Sequence, residues 1–580
     1  MPQDPPSDQR APQPPAPGAS RVAYFTMEVA LRDELPTYSG GLGVLAGDFL
    51  RSAADLALPL VAVTLCYRRG YFHQRLDADG GQHEQPVEWS PERHLERCAA
   101  RVTIPVSGRP VTVAAWRLVL RGVGGAAVPI YFLDTDLAEN DPADRSITDQ
   151  LYGGDDEHRL RQEAVLGLGG VAYLRALGHG DLDTFHMNEG HAALLTLALC
   201  DEAGGPFAAT AAARGACRAR CAFTTHTPVP AGHDRFTRPV VEAVLGAARV
   251  AQLDGLAQLE GGELNMSELA ISCSRYVNGV SRRHAAVSRE MFPGVEVSAI
   301  TNGVHVATWA APSTARLFDE FLPGWRQDSA LLRYANDIPL ARLETAHAEA
   351  KRTLFAEVLR RTGADLDPKA LTIGLARRAT RYKQIGLLFS DLARLRALSE
   401  DAGPIQVLCA GKAHPRDEGG KALLRGLVEA GRALGDDVPV VLLENYDLEL
   451  AGKLCAGTDV WLNTPQPPNE ASGTSGMKAA VNGVPSLSIL DGWWIEGWLE
   501  GITGWAIGSA DEPPEDPATA ADALYRALGE RVLPLYFGDP DGYRAVMRAA
   551  IALNGSFFAT DRMAREYALN AYGLAGTRRS

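Results

Sequence analysis

Lysine is scarce in this sequence. Only 7 of the 57 basic residues are lysine, and none of them precedes Lys351. The other 50 are arginine, whose guanidinium stays protonated, whereas a lysine amine can lose its proton and attack an aldehyde. Any chemistry that requires a lysine amine, such as a Schiff base, must therefore come from the C-terminal 230 residues.

Basic residues are also too few to dominate the charge. The chain has 71 acidic side chains against 57 basic ones, and its formal net charge is −14. A nucleic-acid-binding protein normally presents a basic face, so we expect no nucleic-acid partner. The eight cysteines form neither a CxxC pair nor a dense framework. They predict reduced thiols in a cytoplasmic protein.

Long apolar runs are absent as well. The longest, around residues 56–66, is far shorter than the ~20 residues that span a bilayer, and we expect no membrane segment. Residues 1–20 are rich in proline, glutamine, aspartate and alanine, and they contain no apolar stretch of the kind found in signal peptides. This segment predicts a disordered, proline-rich tail.

The remaining composition, 46% hydrophobic and 22% charged, is that of a globular protein. A chain of 580 residues is long enough for at least two domains. Short apolar runs that end in polar clusters alternate with helix-like stretches, which is typical of α/β proteins with parallel sheets. The runs are residues 22–27, 128–133, 221–225 and 297–301 in the first half, and 371–375, 405–409, 438–443 and 460–463 in the second.

Two such series predict an α/β fold of two doubly wound, Rossmann-like domains. The periodic pattern lapses over residues 310–342, and we place the boundary there. The predicted units are an N-terminal domain at residues 21–325, a C-terminal domain at 326–545, and a helix at 546–580 that packs back on the domains. Ligands of open α/β sheets bind beyond the carboxyl ends of the strands. The polar clusters after each run are therefore the candidate sites.

The first cluster is the glycine-rich segment at residues 38–43, which precedes a helix-like run. Glycines at a loop-to-helix junction let backbone N–H groups approach an anion, and the helix dipole favours negative charge there. A tight turn explains the glycines equally well.

Three further clusters, at residues 186–191, 224–228 and 301–305, place histidine, threonine and asparagine at predicted strand ends. The first lacks the HExxH order, and no cysteine or carboxylate cluster completes a metal shell, so no metal site is predicted. These side chains suit sugar hydroxyls, although turn chemistry also accounts for each cluster.

A run of cations occupies residues 377–383, directly after a predicted strand. A solvated helix face is the usual explanation of such a run. Because the preceding strand has the pattern of a buried one, the run lies at a ligand-binding edge. We therefore favour phosphate or another anion as its partner.

The most specific stretch is residues 470–480, in which serine, glycine and threonine precede an alanine-rich helical run. The free N–H groups and hydroxyls of such a segment can bind an anion. Lys478 lies near the start of that helix between Met477 and Ala479, where a solvated lysine is not expected. An amine in apolar surroundings has a lowered pKa and becomes nucleophilic towards an aldehyde.

With these residues the chain resembles the pyridoxal-phosphate-dependent α-glucan phosphorylases (glycogen, starch and maltodextrin phosphorylases) of glycosyltransferase family 35. It is more closely similar to their short bacterial and archaeal branch. The matching motifs run in family order and cover most of the chain. They are residues 24–28, 39–43, 188–191, 225–227, 301–304, 378–383, 444–446 and 470–478.

The resemblance implies a GT-B fold with the active site in the cleft between the domains. It implies that Lys478 holds pyridoxal 5'-phosphate as a Schiff base, and that Arg378 and Lys383 hold the substrate phosphate; these three form the implied catalytic set. Near the cofactor it places Arg377, Thr474, Ser475 and Gly41 at the phosphate, and Tyr24, Trp309 and Tyr446 beside the ring. The implied substrate-binding residues are His226, Asn302, Tyr382, Glu470, Ser472, Gly473 and Gly40.

The implied reaction is phosphorolysis of an α-1,4-glucan or maltooligosaccharide at its non-reducing end. Inorganic phosphate is the second substrate, and α-D-glucose 1-phosphate forms with retention. The cofactor phosphate would exchange a proton with the substrate phosphate. Two adjacent phosphates repel each other, and the cations and glycine-rich loops described above can hold them together. No pair of catalytic carboxylates is required.

Two alternatives stay open on the sequence alone. A nucleotide-sugar-dependent GT-B transferase, such as a glycogen synthase, has two glutamates with seven residues between them, whereas here Lys478 follows Glu470 at that spacing. A glucan-binding homologue without catalysis would lack Lys478, Arg378 or Lys383, and all three are present. The motifs settle neither the glucan chain length, nor the identity of the glucoside, nor whether a homo-oligomer forms. The short N-terminal segment leads us to expect no nucleotide control.

Overall fold

The computed structural model describes residues 21–229, 232–259, 261–509, 514 and 516–574. The predicted tail at residues 1–20 lies outside the described residues. Two sheets organise the chain, one of ten strands and one of six. We call the ten-stranded sheet with its helices the first unit, and the six-stranded sheet with its helices the second unit.

The first unit contains all strands before residue 300. In chain order they are β1 (Val22–Thr26), β2 (Leu60–Leu65), β3 (His73–Leu76), β4 (Gln82–Gln85), β5 (Glu96–Arg97), β6 (Val102–Val106), β7 (Arg109–Arg121), β8 (Ala127–Asp134), β9 (Thr184–Asn188), β10 (Cys221–Thr224), β11 (Arg235–Thr237), β12 (Glu263–Asn265), β13 (Tyr276–Gly279) and β14 (Ser298–Ala299).

The main sheet of this unit has the order β14-β13-β10-β9-β1-β2-β8-β7-β5, and β6 also pairs with β7. Neighbours from β14 to β8 are parallel, and the pairs of β7 with β5, β6 and β8 are antiparallel. Strands β3 and β4, and strands β11 and β12, form two separate antiparallel pairs. All five residues of β1 are buried, because a parallel sheet is covered on both faces.

The second unit contains β15 (Leu371–Ala376), β16 (Ile405–Ala410), β17 (Val440–Leu443), β18 (Val460–Asn463), β19 (Ser486–Ile489) and β20 (Gly504–Ile507). All neighbours are parallel, in the order β17-β16-β15-β18-β19-β20. This is the strand order of a Rossmann sheet. The predicted α/β class with doubly wound sheets is therefore confirmed.

Helices cover both sheets. Up to residue 321 they are α1 (Gly41–Asp55), α2 (Pro91–His94), α3 (Pro142–Arg145), α4 (Asp156–Ala164), α5 (Gly170–Ala176), α6 (Leu195–Gly204), α7 (Ala211–Arg218), α8 (Arg238–Leu245), α9 (Ala247–Gly255), α10 (Met266–Ser272), α11 (Arg282–Met291), α12 (Val306–Trp309) and α13 (Pro312–Phe321). They continue with α14 (Leu340–Thr362), α15 (Leu392–Ala402), α16 (Glu418–Leu434), α17 (Leu448–Gly457), α18 (Ser475–Val481), α19 (Trp494–Gly497), α20 (Pro517–Ala527), α21 (Leu533–Gly538), α22 (Pro540–Ala549) and α23 (Thr560–Glu566).

The end of the described chain returns to the first unit. The hydroxyls of Thr560 and Ser52 lie 2.6 Å apart, which joins α23 to α1. Beyond α23, Tyr572 Oη lies 2.6 Å from His186 Nδ1, beside β1. Helix α22 crosses the predicted limit at residue 546, and the domain limits stay a prediction.

Across the part of the chain that the structure describes, no helix combines the length and the apolarity needed to cross a bilayer.

Candidate active site

A cavity of about 770 Å³ lies between the two units, at the carboxyl ends of their parallel strands. Glu28 after β1 and Glu189 after β9 line it from the first unit, and Arg377 after β15 and Glu470 after β18 line it from the second. In each sheet these are the two strands at which the order of winding reverses. Open α/β sheets bind ligands at that position.

The glycine-rich loop before α1 is held by the buried carboxylate of Glu28. Glu28 Oε2 accepts the N–H groups of Ser39 at 2.6 Å and Gly40 at 3.1 Å. Glu28 Oε1 accepts the hydroxyl of Tyr152 at 2.9 Å. The N–H groups of Ser39 and Gly40 are thus already paired. The N–H groups in the first turn of α1, which begins at Gly41, have no intrahelical partners and are available to a ligand.

Arg378 reaches from the second unit to this loop. Its Nη2 lies 3.5 Å from Ser39 Oγ, and a Cβ atom added at Gly40 would lie only 2.7 Å from the same Nη2. The absence of a side chain at Gly40 is what leaves room for the guanidinium. Arg378 forms no ion pair with any described carboxylate, so its charge is available to an anion.

Two further cations converge on Glu470. Arg377 Nη2 lies 2.7 Å from Glu470 Oε2, and Lys383 Nζ donates to the same oxygen. Burial favours the neutral carboxyl group, but the two cations outweigh it and hold the pKa of Glu470 below its usual value. One carboxylate for two cations leaves a net positive charge, which suits a phosphate.

The loop between β18 and α18 forms the adjoining wall of the cavity. Gly473 has a φ of +74°, a conformation that favours glycine. The Ser475 hydroxyl is already engaged, because it accepts the indole N–H of Trp461 at 3.0 Å and donates to Asn463 Oδ1 at 3.4 Å. The Thr474 hydroxyl has no hydrogen-bond partner among the described residues and remains available to a ligand.

Lys478 lies on α18 at the floor of the cavity and is 6% exposed. Its Nζ lies 3.9 Å from the centroid of the Trp309 ring and has no hydrogen-bond acceptor within the described ranges. The ring is fixed from the first unit, since Trp309 Nε1 donates to Asp48 Oδ2 at 2.6 Å. Burial lowers the pKa of Lys478, partly offset by the nearby charge of Asp48. The amine is therefore poised to react as a nucleophile.

The opposite side of the cavity carries groups suited to sugar hydroxyls. Glu189, at a φ of +77°, accepts the His226 N–H at 2.7 Å and the Thr227 hydroxyl at 3.0 Å. Burial lowers the pKa of His226 to about 3, so the ring is neutral. Its Nε2 lies 2.7 Å from the accepting oxygen of Asn188, which leaves Nδ1 as an acceptor. Asn302 Oδ1 is buried without a described partner.

The structure brings nearly all the residues proposed from the sequence into this one cavity. Those that line it are Gly40, Gly41, His226, Asn302, Trp309, Arg377, Arg378, Tyr382, Lys383, Tyr446, Glu470, Ser472, Gly473, Thr474, Ser475 and Lys478. Tyr24 does not line it. Its ring is buried in the core against Phe49, with centroids 4.9 Å apart, because Tyr24 lies at the middle of β1 and not beyond its carboxyl end. We leave Tyr24 out of the proposed site.

Several residues of the cavity wall were not predicted as site residues. Glu28 and Glu189 lie in motifs noted in the sequence, but a carboxylate that binds the protein's own N–H groups has no distinctive pattern. Tyr152 and Lys412 also line the cavity. The scarcity of lysine was a usable signal for Lys412, which follows β16 in a glycine-containing segment.

A charged cluster lies beside the cavity at Glu163, His191 and Asp234. These residues offer ligand atoms within 4.8 Å of one another. Arg159 lies between the two carboxylates, at 3.2 Å from Glu163 and 3.1 Å from Asp234. Burial raises the pKa of Glu163 well above its usual value and favours its neutral form, so the guanidinium pairs chiefly with the Asp234 carboxylate. A metal ion at this cluster would therefore compete with an arginine.

The amine of Lys412 is expected to make stability depend on pH. Burial lowers the pKa of Lys412 to about 8 in the folded protein. Between about pH 8 and about pH 10 the unfolded chain then binds more protons at this residue, and the free energy of unfolding rises with pH. In urea denaturation over this range, the parent should gain stability relative to Lys412→Met. The exposed substitution Lys369→Met is the control, and an equal pH dependence in both variants would contradict the expectation.

The chain matches a known protein family over more than half of its length. Residues 32–115 and 229–498 match the family described as carbohydrate phosphorylase. The chain is 38% identical to a maltodextrin phosphorylase of Thermococcus litoralis, over 96% of this chain and 70% of the relative. It is 37% identical to a glycogen phosphorylase of Mycobacterium tuberculosis, over 96% of this chain and 71% of the relative. A glycogen phosphorylase of Aquifex aeolicus is 33% identical, over 94% of this chain and 85% of the relative.

These matches span both units and include the cation run, the glycine-rich end of the loop before α18, and Lys478. The family has the GT-B fold, which agrees with two doubly wound sheets that face a common cavity. The resemblance drawn from the motifs is confirmed, and the chain belongs to the carbohydrate phosphorylase family.

Proposed function

We propose that this chain is an α-glucan phosphorylase. It transfers the glucosyl unit at the non-reducing end of an α-1,4-glucan or maltooligosaccharide to inorganic phosphate, and α-D-glucose 1-phosphate forms with retention. The relatives named above as glycogen and maltodextrin phosphorylases support this activity. The observation that carries it is the amine of Lys478, which has no hydrogen-bond acceptor among the described residues and lies in the same cavity as Arg377, Arg378 and Lys383.

The residues of the cavity fit pyridoxal 5'-phosphate. Lys478 offers a buried amine for the aldehyde, and the aromatic side chains of Trp309 and Tyr446 line the same cavity. The Thr474 hydroxyl and the N–H groups at the start of α1 offer unpaired donors for the phosphate. When bound, the cofactor supplies a phosphate group that can exchange a proton with the substrate phosphate.

The cations of the second unit hold and orient the substrate phosphate. Arg378 has no described carboxylate partner, and its guanidinium can donate two parallel hydrogen bonds to phosphate oxygens. Arg377 and Lys383, which both pair with Glu470, offset the repulsion between neighbouring phosphates. By fixing the negatively charged phosphate in place, they allow it to stabilise the positive charge that develops on the sugar as the glycosidic bond breaks.

The sugar is oriented from the first unit and from the loop before α18. Asn302 Oδ1 can accept a hydroxyl without losing a partner. His226 presents an acceptor, since its ring is neutral and its other nitrogen is bound to Asn188.

Gly40→Ala is expected to lower kcat/KM for phosphorolysis about 100-fold, because a misplacement of about 1 Å in an active site has effects of that order. The new Cβ would lie 2.7 Å from Arg378 Nη2 and push the guanidinium away. The backbone itself tolerates alanine, since Gly40 has an extended φ of −164°. Steady-state kinetics with varied phosphate measure the effect, with Gly215→Ala as the control, where nothing lies within 4 Å of the new Cβ. Equal kinetics of the two variants would contradict the role given to Gly40.

The proposed function is tested by incubating the purified protein with maltoheptaose and inorganic phosphate and measuring glucose 1-phosphate. Parallel reactions with UDP-glucose or ADP-glucose as donor test the alternative of a nucleotide-sugar transferase. We expect glucose 1-phosphate in the first reaction and no glucan extension in the others. The converse result would overturn the proposal, and no product in any reaction would favour a glucan-binding homologue.

We also propose that the protein acts in the cytoplasm. All eight cysteines are free in the structure, and Cys217 Sγ and Cys221 Sγ lie 3.8 Å apart, at hydrogen-bond distance and not joined by a disulfide. Free thiols in this number are typical of a reducing compartment.

A further inference from the structure

The hairpin of β3 and β4 belongs to the first unit in sequence but makes its polar contacts with the second unit. Its strands are short and polar, with the sequences His-Gln-Arg-Leu and Gln-His-Glu-Gln. Hairpins of this size have little stability alone. Contacts to residues more than 300 positions away in the chain therefore fix it in place.

Gln74 is fully buried at the centre of these contacts. Its side-chain oxygen accepts the Asn445 N–H at 2.9 Å, and its own N–H donates to Asn445 Oδ1 at 3.3 Å. Its amide nitrogen donates to Gly411 O at 2.8 Å. The side-chain amide and the backbone N–H of Gln74 thus pair with residues that follow β16 and β17 of the second unit.

Gln82, opposite Leu76 in the hairpin, binds the backbone of Ala413, two residues after Gly411. Its side chain accepts the Ala413 N–H at 2.9 Å and donates to Ala413 O at 3.0 Å. The amide nitrogen of Gln74 also donates to Gln82 Oε1 at 2.9 Å, so the two glutamines form one network. Buried polar groups that are fully paired in this way define a single arrangement of the backbone they bind.

Lys412 lies between the two backbone positions that the glutamines hold. Its Nζ donates to Phe72 O at 3.1 Å and lies 5.3 Å from the Phe72 ring, at the base of the hairpin. The amine lines the cavity that contains Arg377 and Arg378. The charged group that acts on it is Asp447 of the second unit. The titratable ring of His73 in the hairpin has a pKa lowered by burial and by the charge of Lys412, which favours its neutral form.

We propose that residues 72–85 form a clasp between the units, and that Gln74 and Gln82 are positioning residues that hold the segment 411–413, and with it the Lys412 amine, in the cavity. The clasp keeps the cavity assembled before any ligand binds. The added claim that the placed amine contributes to phosphate binding rests on the proposed function.

Amine labelling tests the placement of Lys412 directly. The chain has only seven lysines, so acetylation by a limiting reagent can be followed at each one by peptide mass spectrometry as a function of pH. In the parent, Lys412 should label with a midpoint near pH 8. In Gln82→Ala the segment is released, the amine is hydrated, and the midpoint should rise by about one unit or more. Gln85→Ala, an exposed change in the same hairpin, is the matched control and should leave the midpoint unchanged.

Kinetics provide the second readout. Gln82→Ala should raise KM for phosphate about tenfold, the size expected when one charged hydrogen bond is lost, with a smaller effect on KM for the glucan. General destabilisation would instead lower the concentration of active enzyme and leave both KM values unchanged. If Gln82→Ala does not fold, Gln74→Ala probes the same network through Gly411 and Asn445.

An unchanged labelling midpoint in both glutamine variants would overturn the clasp. A shifted midpoint with an unchanged KM for phosphate would overturn the added claim about phosphate. If the parent releases no glucose 1-phosphate, the proposed function fails, and the labelling result still decides the placement of Lys412.

Discussion

Lys478→Arg is expected to abolish both cofactor retention and glucose 1-phosphate release. Arginine keeps the positive charge over the Trp309 ring but cannot attack an aldehyde. Phosphorolysis should fall below detection, and the absorbance of bound pyridoxal phosphate should be lost. Borohydride reduction of the parent, followed by peptide mapping, should place a pyridoxyl group on Lys478 and leave the variant unmodified.

Lys369→Arg is the matched control for this change. Lys369 is exposed and lies outside the cavity wall, so the same substitution should leave activity and adduct formation unchanged. Retained phosphorolysis in Lys478→Arg, or a pyridoxyl group on another lysine, would show that the amine has been assigned to the wrong residue.

Arg378→Gln is expected to lower kcat/KM for phosphorolysis by about 10²–10³-fold, the range seen when one preorganised donor to developing charge is removed. Arg378 forms no ion pair with a described carboxylate, so its charge is not already neutralised in the way that Glu470 partly neutralises Arg377. The loss should appear mainly with varied phosphate, and binding of the glucan should change little.

Arg381→Gln provides a control within the same run of cations. Arg381 is exposed and does not line the cavity, although the charge pattern of the run by itself does not distinguish it from Arg378. Its substitution should leave kcat/KM within about twofold, as expected of a surface charge. Equal losses in the two variants would mean that the overall charge of the segment matters, rather than the placement of one guanidinium.

The fold was predictable where buried strands leave a continuous apolar pattern. Strand β15, Leu371–Ala376, is buried throughout and was visible as an apolar run. The hairpin of β3 and β4 was not predicted. Its glutamines are buried because they form hydrogen bonds to the other unit. The hairpin sequence is polar almost throughout, and without apolar residues at alternate positions it does not indicate a strand.

The site was predictable where residue type alone restricts the chemistry. Lys478 stood out because this chain rarely uses lysine and because its neighbours are apolar. Contacts between residues that are distant in the sequence were harder to predict. Nothing in the sequence indicates that Glu28 would pair with Ser39 and Gly40, or that the Ser475 hydroxyl would be bound to Trp461 and Asn463.

The return of the chain end to the first unit has a consequence for synthesis and dissection of the protein. Thr560 bonds to Ser52 of α1, and Tyr572 bonds to His186 of β9, so residues near the C terminus complete the core around the first strands. A ribosome must therefore finish the second unit before the first can close. A fragment that stops between the sheets would expose the face of α1 that α23 covers, and the two units should unfold together rather than as separable modules.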